Sequence, residues 1–403
     1  MKATSSPTFT SKEPSAKPHS TDRNDDQPMI RSLVRPLPRL VSGAGCLSEL
    51  PKVLAGKRSI SIFTDSGLRN AGHPQRATSL LESAGHRVAV FDSTEENPDS
   101  RHVESARDFI ASVRPDAILA IGGGSSMDLA KAANLIHCCG GRVGDYHGYG
   151  KATAPLLPMA GIPTTTGTGS EAQSYAVIVD RQTHLKMACG DPGMLFGTVL
   201  LDPELVSSQP RGVAAVTGLD AISHALEAAV STARNPLSLS YAREAWRLLS
   251  ANFGNVLARN ADVATFGAMQ WGAFLAGAAI EQSMLGASHA MANPLTAHYG
   301  LTHGIAIALV LPWVIRFNAR AVSADYRELA REAGLGDQGA EGLALKVEEW
   351  RSGAALPSGL GSCGVRDGIL AILAEEASQQ WTGRFNPAPV TESDFLSLYR
   401  SAM

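Results

Sequence analysis

"AILAIGGGSSMDLAKAAN", residues 117–134, decides the fold. An apolar run, three glycines, two serines and then apolar residues at helical spacing read as strand, tight turn and helix. Glycine lets backbone N–H groups come close to an anion, and a helix N-terminus adds unpaired donors and a favourable dipole for phosphate. The stretch is not the G-x-G-x-x-G fingerprint, and taken alone GGGS serves equally well as a simple strand–helix turn. A second stretch, "IPTTTGTGSE" (162–171), places three hydroxyl side chains and two more glycines after another apolar run. Two such loops in one α/β region predict a pyrophosphate lying between them.

Outward from these loops, short apolar runs alternate with helical patterns. "SISIFTD" (59–65) precedes a helix around 73–84, and "RVAVFD" (87–92) precedes one around 100–112. Alternation at this spacing predicts a parallel sheet with helices packed on it. The β pattern stops after "TVLLDPELV" (198–206). Beyond about residue 209, stretches such as "SYAREAWRLLSANF" (240–253) carry apolar residues at helical spacing. The expected organisation is therefore a tail (1–30), an α/β nucleotide-binding domain (31–208) and an all-helical domain (209–403). The cleft between the two domains is the expected ligand site.

Composition narrows the class of partner. The chain has 403 residues, 44% hydrophobic and 18% charged, with a formal net charge of −3. No Lys/Arg cluster offers an electrostatic footprint for nucleic acid or an anionic membrane. The most apolar run, 304–315, contains Pro312 and is shorter than the roughly 20 residues that span a bilayer, so it reads as a buried helix. Five cysteines (46, 138, 139, 189 and 363) include no C-x-x-C pair, which fits a reducing, cytoplasmic setting. The first 30 residues are rich in Ser, Thr, Pro and charge and lack the apolar segment of a secretory signal, so a disordered tail is expected. Glu13, Asp22, Asp25 and Asp26 count against an organelle transit peptide.

Two further groups of residues carry chemistry. Asp65 ends the first strand of the α/β domain, where a carboxylate would accept hydrogen bonds from an adenosine ribose and repel a 2′-phosphate; this favours NAD over NADP. An Asp opening a turn before Ser66-Gly67 is the other reading. In "TGLDAISHALEAAVS" (217–231), Leu219, Ile222, Leu226 and Ala229 form one side of a helix and Asp220, His224, Glu227 and Ser231 the other. Asp220 and His224, at i and i+4, project in the same direction and suit one cation. His289 and His303 lie fourteen positions apart in a mostly apolar segment, and Asn293-Pro294 is expected to break the helix that carries His289. Two histidines flanking such a break, with an Asp-x-x-x-His pair in the same helical domain, predict a four-ligand site: Asp220, His224, His289 and His303.

The chain resembles the iron-containing (group III) alcohol dehydrogenase family from "LVSGAGCLSELPKVL" (40–54) to "FNPAPVTESDF" (385–395). Shared elements are "TDSGL", Asn97-Pro98, "GGGSSMDLAK", "IPTTTGTGSE", "LLDPEL", "TGLDAISHALEAAVS", "HAMANPL" and "THGIAIALVLPWVIRFN". The resemblance implies a Rossmann-like N-terminal domain, a helical C-terminal domain and one divalent ion, usually iron and sometimes zinc. It implies metal ligands at the same four positions, and NAD contacts at Asp65, Asn97, Gly123, Gly124, Ser125, Asp128, Thr164, Thr165, Thr168 and Lys186. Many members carry a second histidine four residues after the third ligand, close to nicotinamide and substrate. This chain has Asn293 there, which cannot titrate, and His298 is the candidate to take over a proton relay. The implied activity is hydride transfer between NAD(H) and a small alcohol or its aldehyde or ketone, in a homodimer or larger homo-oligomer. A lyase or cyclase of the dehydroquinate synthase type, which retains its NAD through the cycle, is the alternative on the same scaffold.

Overall fold

Every residue of the strand Ala117–Gly122 is buried, as an unbroken apolar run requires of a strand covered on both faces. In this computed structural model, which describes residues 34–181 and 186–403 together with Met1, that strand is the fourth of nine. They are β1 (Arg39–Ser42), β2 (Ser59–Phe63), β3 (Arg87–Phe91), β4 (Ala117–Gly122), β5 (Gly148–Tyr149), β6 (Met159–Pro163), β7 (Tyr175–Val179), β8 (Lys186–Gly190) and β9 (Thr198–Leu201). Apart from Met1, the tail expected over 1–30 lies outside the described residues.

Six strands form one sheet in the order β1-β9-β6-β4-β2-β3, with every pairing parallel. A smaller sheet pairs β5 in parallel and β7 antiparallel with β8. Strand order reverses at β2, with β3 on one side and β4 on the other. Ligands of open α/β sheets bind beyond the carboxyl ends of the strands at such a reversal. Here those ends run into Asp65 and into Gly122–Gly124. The helices α1 (Ser66–Ala71), α2 (His73–Ser83), α3 (Ser100–Val113) and α4 (Gly124–Cys139) alternate with the strands as the spacing predicts. Side-chain alternation sorts the strands' residues between two cores. Ile60, Ile62, Leu119 and Ile121 join one, while Phe63, Ile118 and Ala120 join the other.

Beyond Leu201 the described residues contain no strand. The helices that matter for the site are α5 (Arg211–Val230), α6 (Pro236–Leu257), α7 (Val263–Ser283), α8 (Ala287–Tyr299), α9 (His303–Asn318) and α10 (Leu370–Gln379). Helix α5 is buried without interruption from Gly218 to Val230. Its apolar side meets the helical core, and its polar side faces an internal cavity. Helices α5 and α7 are long and apolar enough to cross a membrane by length and composition. In the fold, 83% and 56% of their respective apolar windows are buried.

Helix α7 docks against the second glycine loop. Gln270 Nε2 donates to the Pro163 carbonyl at 3.0 Å, and Glu281 accepts from Ser174 N and Oγ at 3.1 and 2.6 Å. Gly169 has φ +60°, and a Cβ there would lie 2.6 Å from the Gly277 Cα, so both positions must lack side chains for this contact.

One expectation is corrected. Helix α8 runs unbroken from Ala287 to Tyr299 with Pro294 inside it. The missing N–H and the clash with the preceding turn cost about 3 kcal/mol in isolation. Eight of the residues from Ala287 to Leu295, Pro294 among them, are buried in the helical core, and that packing overrides the local preference. The chain turns instead at Gly300, a left-handed C-cap at φ +61°, and α9 begins at His303.

Candidate metal centre and cofactor cleft

Asp220 and His224 project from the buried face of α5, His289 from the first turn of α8, and His303 from the first residue of α9. The Asp220 Oδ1 lies 3.5 Å from His224 Nε2, 3.7 Å from His289 Nε2 and 3.7 Å from His303 Nε2. The two nitrogens of His224 and His289 are 3.1 Å apart. Metal–ligand bonds of 2.0–2.2 Å in a tetrahedral arrangement put neighbouring ligand atoms about 3.4 Å apart. The Asp220, His224 and His289 atoms are therefore grouped as ligands of one ion, the His303 nitrogen stands beside the same Asp220 oxygen, and that oxygen is too far for hydrogen bonds to the imidazoles. Asp220 Oδ1 is buried with no hydrogen-bond partner among the described residues. A divalent ion satisfies that orphaned acceptor, and the donor set of three imidazoles and one carboxylate fits it.

Glu227, one turn beyond His224, fixes the site's orientation. Its Oε2 lies 2.6 Å from His289 Nδ1 and accepts from Gly286 N at 3.0 Å, while Oε1 accepts from Ser288 N at 2.7 Å. With the Nδ1 proton held by Glu227, His289 turns its Nε2 lone pair to the cavity. The electrostatics agree. Burial pushes the Asp220 carboxyl up, but the surrounding imidazoles outweigh it and hold it far below the carboxylate range. Burial lowers His289, yet Glu227 and Asp220 raise it to about 9, whereas burial drives His224 down to about 4. Two buried carboxylates thus draw a positive charge to this point, which a divalent cation supplies.

The metal cavity, about 210 Å³, is also walled by Asn97, Gly124, Ser125, Asp128, Thr168 and Lys186. These six of the ten expected cofactor contacts converge beside the metal ligands. Asp65, Gly123, Thr164 and Thr165 do not line that cavity. A Cβ on Gly124 would lie 2.7 Å from the Thr168 side chain, which shows how closely the two glycine loops approach. Asn97 adopts φ +53°. Asp65 caps α1, its Oδ1 accepting from Leu68 N at 3.0 Å, so the turn-opening reading holds at the position that also faces the strand-order reversal. Both oxygens of Asp128 are engaged by protein: Ser170 Oγ donates to one at 2.5 Å and Val177 N to the other at 2.9 Å. Burial lowers the Lys186 ammonium to about 8.

Sequence reasoning missed Lys131, although it ends the quoted glycine motif. Its buried Nζ donates to the carbonyls of Ser170, Gln173 and Tyr175 at 2.6–2.8 Å and to Ser170 Oγ at 2.9 Å, tying α4 to the second loop. It also missed Gln380, Trp381 and Thr382, which close the cavity from the far C-terminal region. Nothing in their local sequence marks them; the tertiary fold alone brings them in. Asn293 lines the cavity and donates from Nδ2 to Gln380 Oε1 at 3.0 Å. His298 does not line the metal cavity. It is exposed in an adjoining chamber and pairs with Glu376 at 2.9 Å.

The iron-containing alcohol dehydrogenase model matches residues 38–203, and the C-terminal model of the Fe-containing alcohol dehydrogenase family matches 214–403. The chain belongs to the iron-containing alcohol dehydrogenase family. It is an oxidoreductase of the CH–OH and carbonyl couple. Among its relatives, the NAD-dependent methanol dehydrogenase of Bacillus methanolicus is 31% identical over 91% of this chain and 98% of that protein. The 1,3-propanediol dehydrogenase of Klebsiella pneumoniae is 30% identical over 91% and 95%. The crystal structure of a 1,3-propanediol oxidoreductase superposes with a TM-score of 0.89 at 29% identity, covering 93% of this chain and all of that one. A sulfoacetaldehyde reductase from Bifidobacterium kashiwanohense, solved with NAD+, gives 0.84 at 26% identity, with 93% and 99% covered.

Proposed function

We propose that this enzyme interconverts an alcohol and its aldehyde or ketone with NAD(H), using one divalent ion held by Asp220, His224, His289 and His303. The observation that carries the reading is the convergence of three imidazole nitrogens on the orphaned Asp220 oxygen, beside the glycine loops. Iron(II) accords with the family, and zinc(II) suits the same nitrogen and oxygen donors. When bound, the ion would supply Lewis-acid polarisation of the substrate oxygen, and the nicotinamide would supply or accept the hydride.

The chain's own residues do the placing. Gly124 and Thr168 hold the two loops close enough to grip a pyrophosphate between them, and the N-terminus of α4 offers its unpaired N–H groups. Asp65 favours an unphosphorylated ribose. The parallel sheet thus presents the cofactor, and the helical domain presents the ligands, in one small buried space where the reacting carbons meet. Asn293 carries no titratable proton, so the proton for the carbonyl oxygen comes from water or from a group other than Asn293. The family relation favours hydride transfer over the lyase alternative, because the enzyme's relatives at 30% identity are dehydrogenases.

The test is anaerobic purification followed by NADH formation from NAD and a panel of alcohols, with and without added Fe(II) or Zn(II). Metal-dependent NADH formation that disappears in His289→Ala is the expected result. Bound metal with no NADH turnover in either direction across alcohols and aldehydes would overturn the reading.

A further inference from the structure

The metal cavity adjoins a chamber of about 880 Å³ that simple alcohol chemistry leaves without a purpose. The two spaces share Tyr175, Lys186, Ala188, Asn293, Gln380 and Trp381 as walls. No residue of either glycine loop borders the larger chamber, and of the expected cofactor contacts only Lys186 does, so the chamber extends from the metal cavity away from the pyrophosphate loops. Cavities of roughly 300–1,000 Å³ enclose ligands of drug size. An alcohol of one to three carbons would occupy a minor part of such a space.

The chamber's chemistry points to the shape of what fills it. Tyr149, Tyr175 and Trp381 form a continuous aromatic wall, with ring centroids 5.2 Å apart for the tyrosines and 6.2 Å for Tyr175 and Trp381. Tyr175 and Trp381 border the metal cavity and Tyr149 the chamber alone, so the wall leads outward from the reacting centre. It is anchored: the Arg35 guanidinium sits 4.4 Å from the Tyr149 ring centre and 5.5 Å from that of Tyr175. Arg35 is itself fixed by Glu281 at 3.1 Å and by reciprocal main-chain bonds with the Gln282 amide at 2.8 Å. At the chamber's other side Glu376 is paired with His298, which leaves no bare carboxylate facing a ligand. Flat rings gain from stacking against such a wall beyond what their buried area gives.

We propose that this chamber binds the body of the substrate, and that the substrate is an alcohol or aldehyde carried on an aromatic or aryl-alkenyl group. The proposal rests on the oxidoreductase reading above. In the reductive direction the aldehyde carbon gains a hydride, with its electron pair, from NADH. The oxygen gains a proton from solvent, and NAD+ and the aryl alcohol leave.

The metal-loaded, full-length enzyme would be assayed with NADH and four carbonyls: acetaldehyde, cyclohexanecarbaldehyde, benzaldehyde and cinnamaldehyde. The expected result is a kcat/KM for cinnamaldehyde at least about tenfold above those for acetaldehyde and cyclohexanecarbaldehyde, the size of one good aromatic contact. Tyr149→Ala should reduce the cinnamaldehyde-to-acetaldehyde ratio about tenfold, and Tyr149→Phe should keep it. Calorimetric titration of the protein with cinnamyl alcohol should show binding that Trp381→Ala weakens. Equal rates for cyclohexanecarbaldehyde and benzaldehyde, or a ratio indifferent to Tyr149→Ala, would overturn the aromatic assignment and leave the dehydrogenase reading intact. Calorimetric binding that depends on Trp381, with no carbonyl reduced, would instead support the chamber and sink the dehydrogenase reading.

Discussion

The Nδ1 atom of His289 lies 2.6 Å from Glu227 Oε2, and Glu227 also accepts the backbone N–H groups of Gly286 and Ser288. One carboxylate therefore holds both the imidazole and the start of the helix that carries it. Partners of this kind typically set metal affinity by a factor of about 10–100. Glu227→Gln keeps the size and an acceptor but loses the charge, so metal affinity should fall within that range in a chelator competition. Affinity unchanged in the variant would show that the pair is structural only.

Metal removal should cost stability. Asp220 and Glu227 are both buried, and without a cation their charges are balanced by protonated imidazole and, for Asp220, by the Lys186 ammonium. An ion that binds the folded state alone, at a hundred times its dissociation constant, adds about 2.7 kcal/mol. Chelation should therefore lower the melting temperature by a few degrees, as that energy implies for a chain of this size. In Asp220→Asn the chelated and metal-loaded samples should melt together.

Asp65 serves as a helix cap and, in the reading above, as a charge against a 2′-phosphate; two substitutions separate these roles. Asp65→Ser keeps a side-chain acceptor for the Leu68 N–H but removes the charge. Its preference for NAD over NADP, measured as a ratio of kcat/KM values, should fall while thermal stability holds. Asp65→Ala should lose the same preference and about 1 kcal/mol of stability as well. Undiminished NAD preference in both variants would place the ribose elsewhere.

Glu171, in the second glycine loop, is buried, and burial raises its pKa from 4.5 to about 7. Because the folded value lies above the unfolded one, the stability linked to this group is fully present below about pH 4.5 and is lost as pH rises through about 7. The shift corresponds to about 3 kcal/mol. Glu171→Gln cannot ionise, so its stability should decline less than that of the parent between pH 5 and pH 8. Parallel unfolding curves for the two proteins across that interval would refute the assignment.

Much of this site is legible along the chain because its chemistry is local. Asp220 and His224 share a helix face by spacing alone, and the glycines between β4 and α4 mark a tight turn at which a backbone can approach an anion. What the sequence hides is non-local or overridden. Asn293-Pro294 reads as a helix break, yet burial of α8 carries the helix through it and Gly300 makes the turn. Glu227 belongs to the polar face of a helix by pattern, but only the fold reveals His289 against it. Tyr149, Gln380 and Trp381 come from segments far apart in sequence, and no periodicity announces that they enclose one space.

Lys131 lies on the same helix as the first glycine loop and holds the second. Its ammonium donates to three main-chain carbonyls and one hydroxyl between Ser170 and Tyr175, and Asp128 takes the proton of that same Ser170 hydroxyl. Lys131→Met fills the space without a donor and strands buried acceptors, each costing about 1–3 kcal/mol. A loss of at least about 3 kcal/mol in denaturant unfolding is expected. Because the loop bearing Thr168 is tied down through these bonds, its slackening should raise the KM for NAD much more than it lowers kcat, and should weaken NADH binding measured directly. Lys131→Arg should not restore either quantity, since a planar guanidinium cannot meet four acceptors that converge on one ammonium nitrogen. If Lys131→Met lost stability while NADH bound with unchanged affinity, the lysine would be a fold anchor with no bearing on the cofactor cleft.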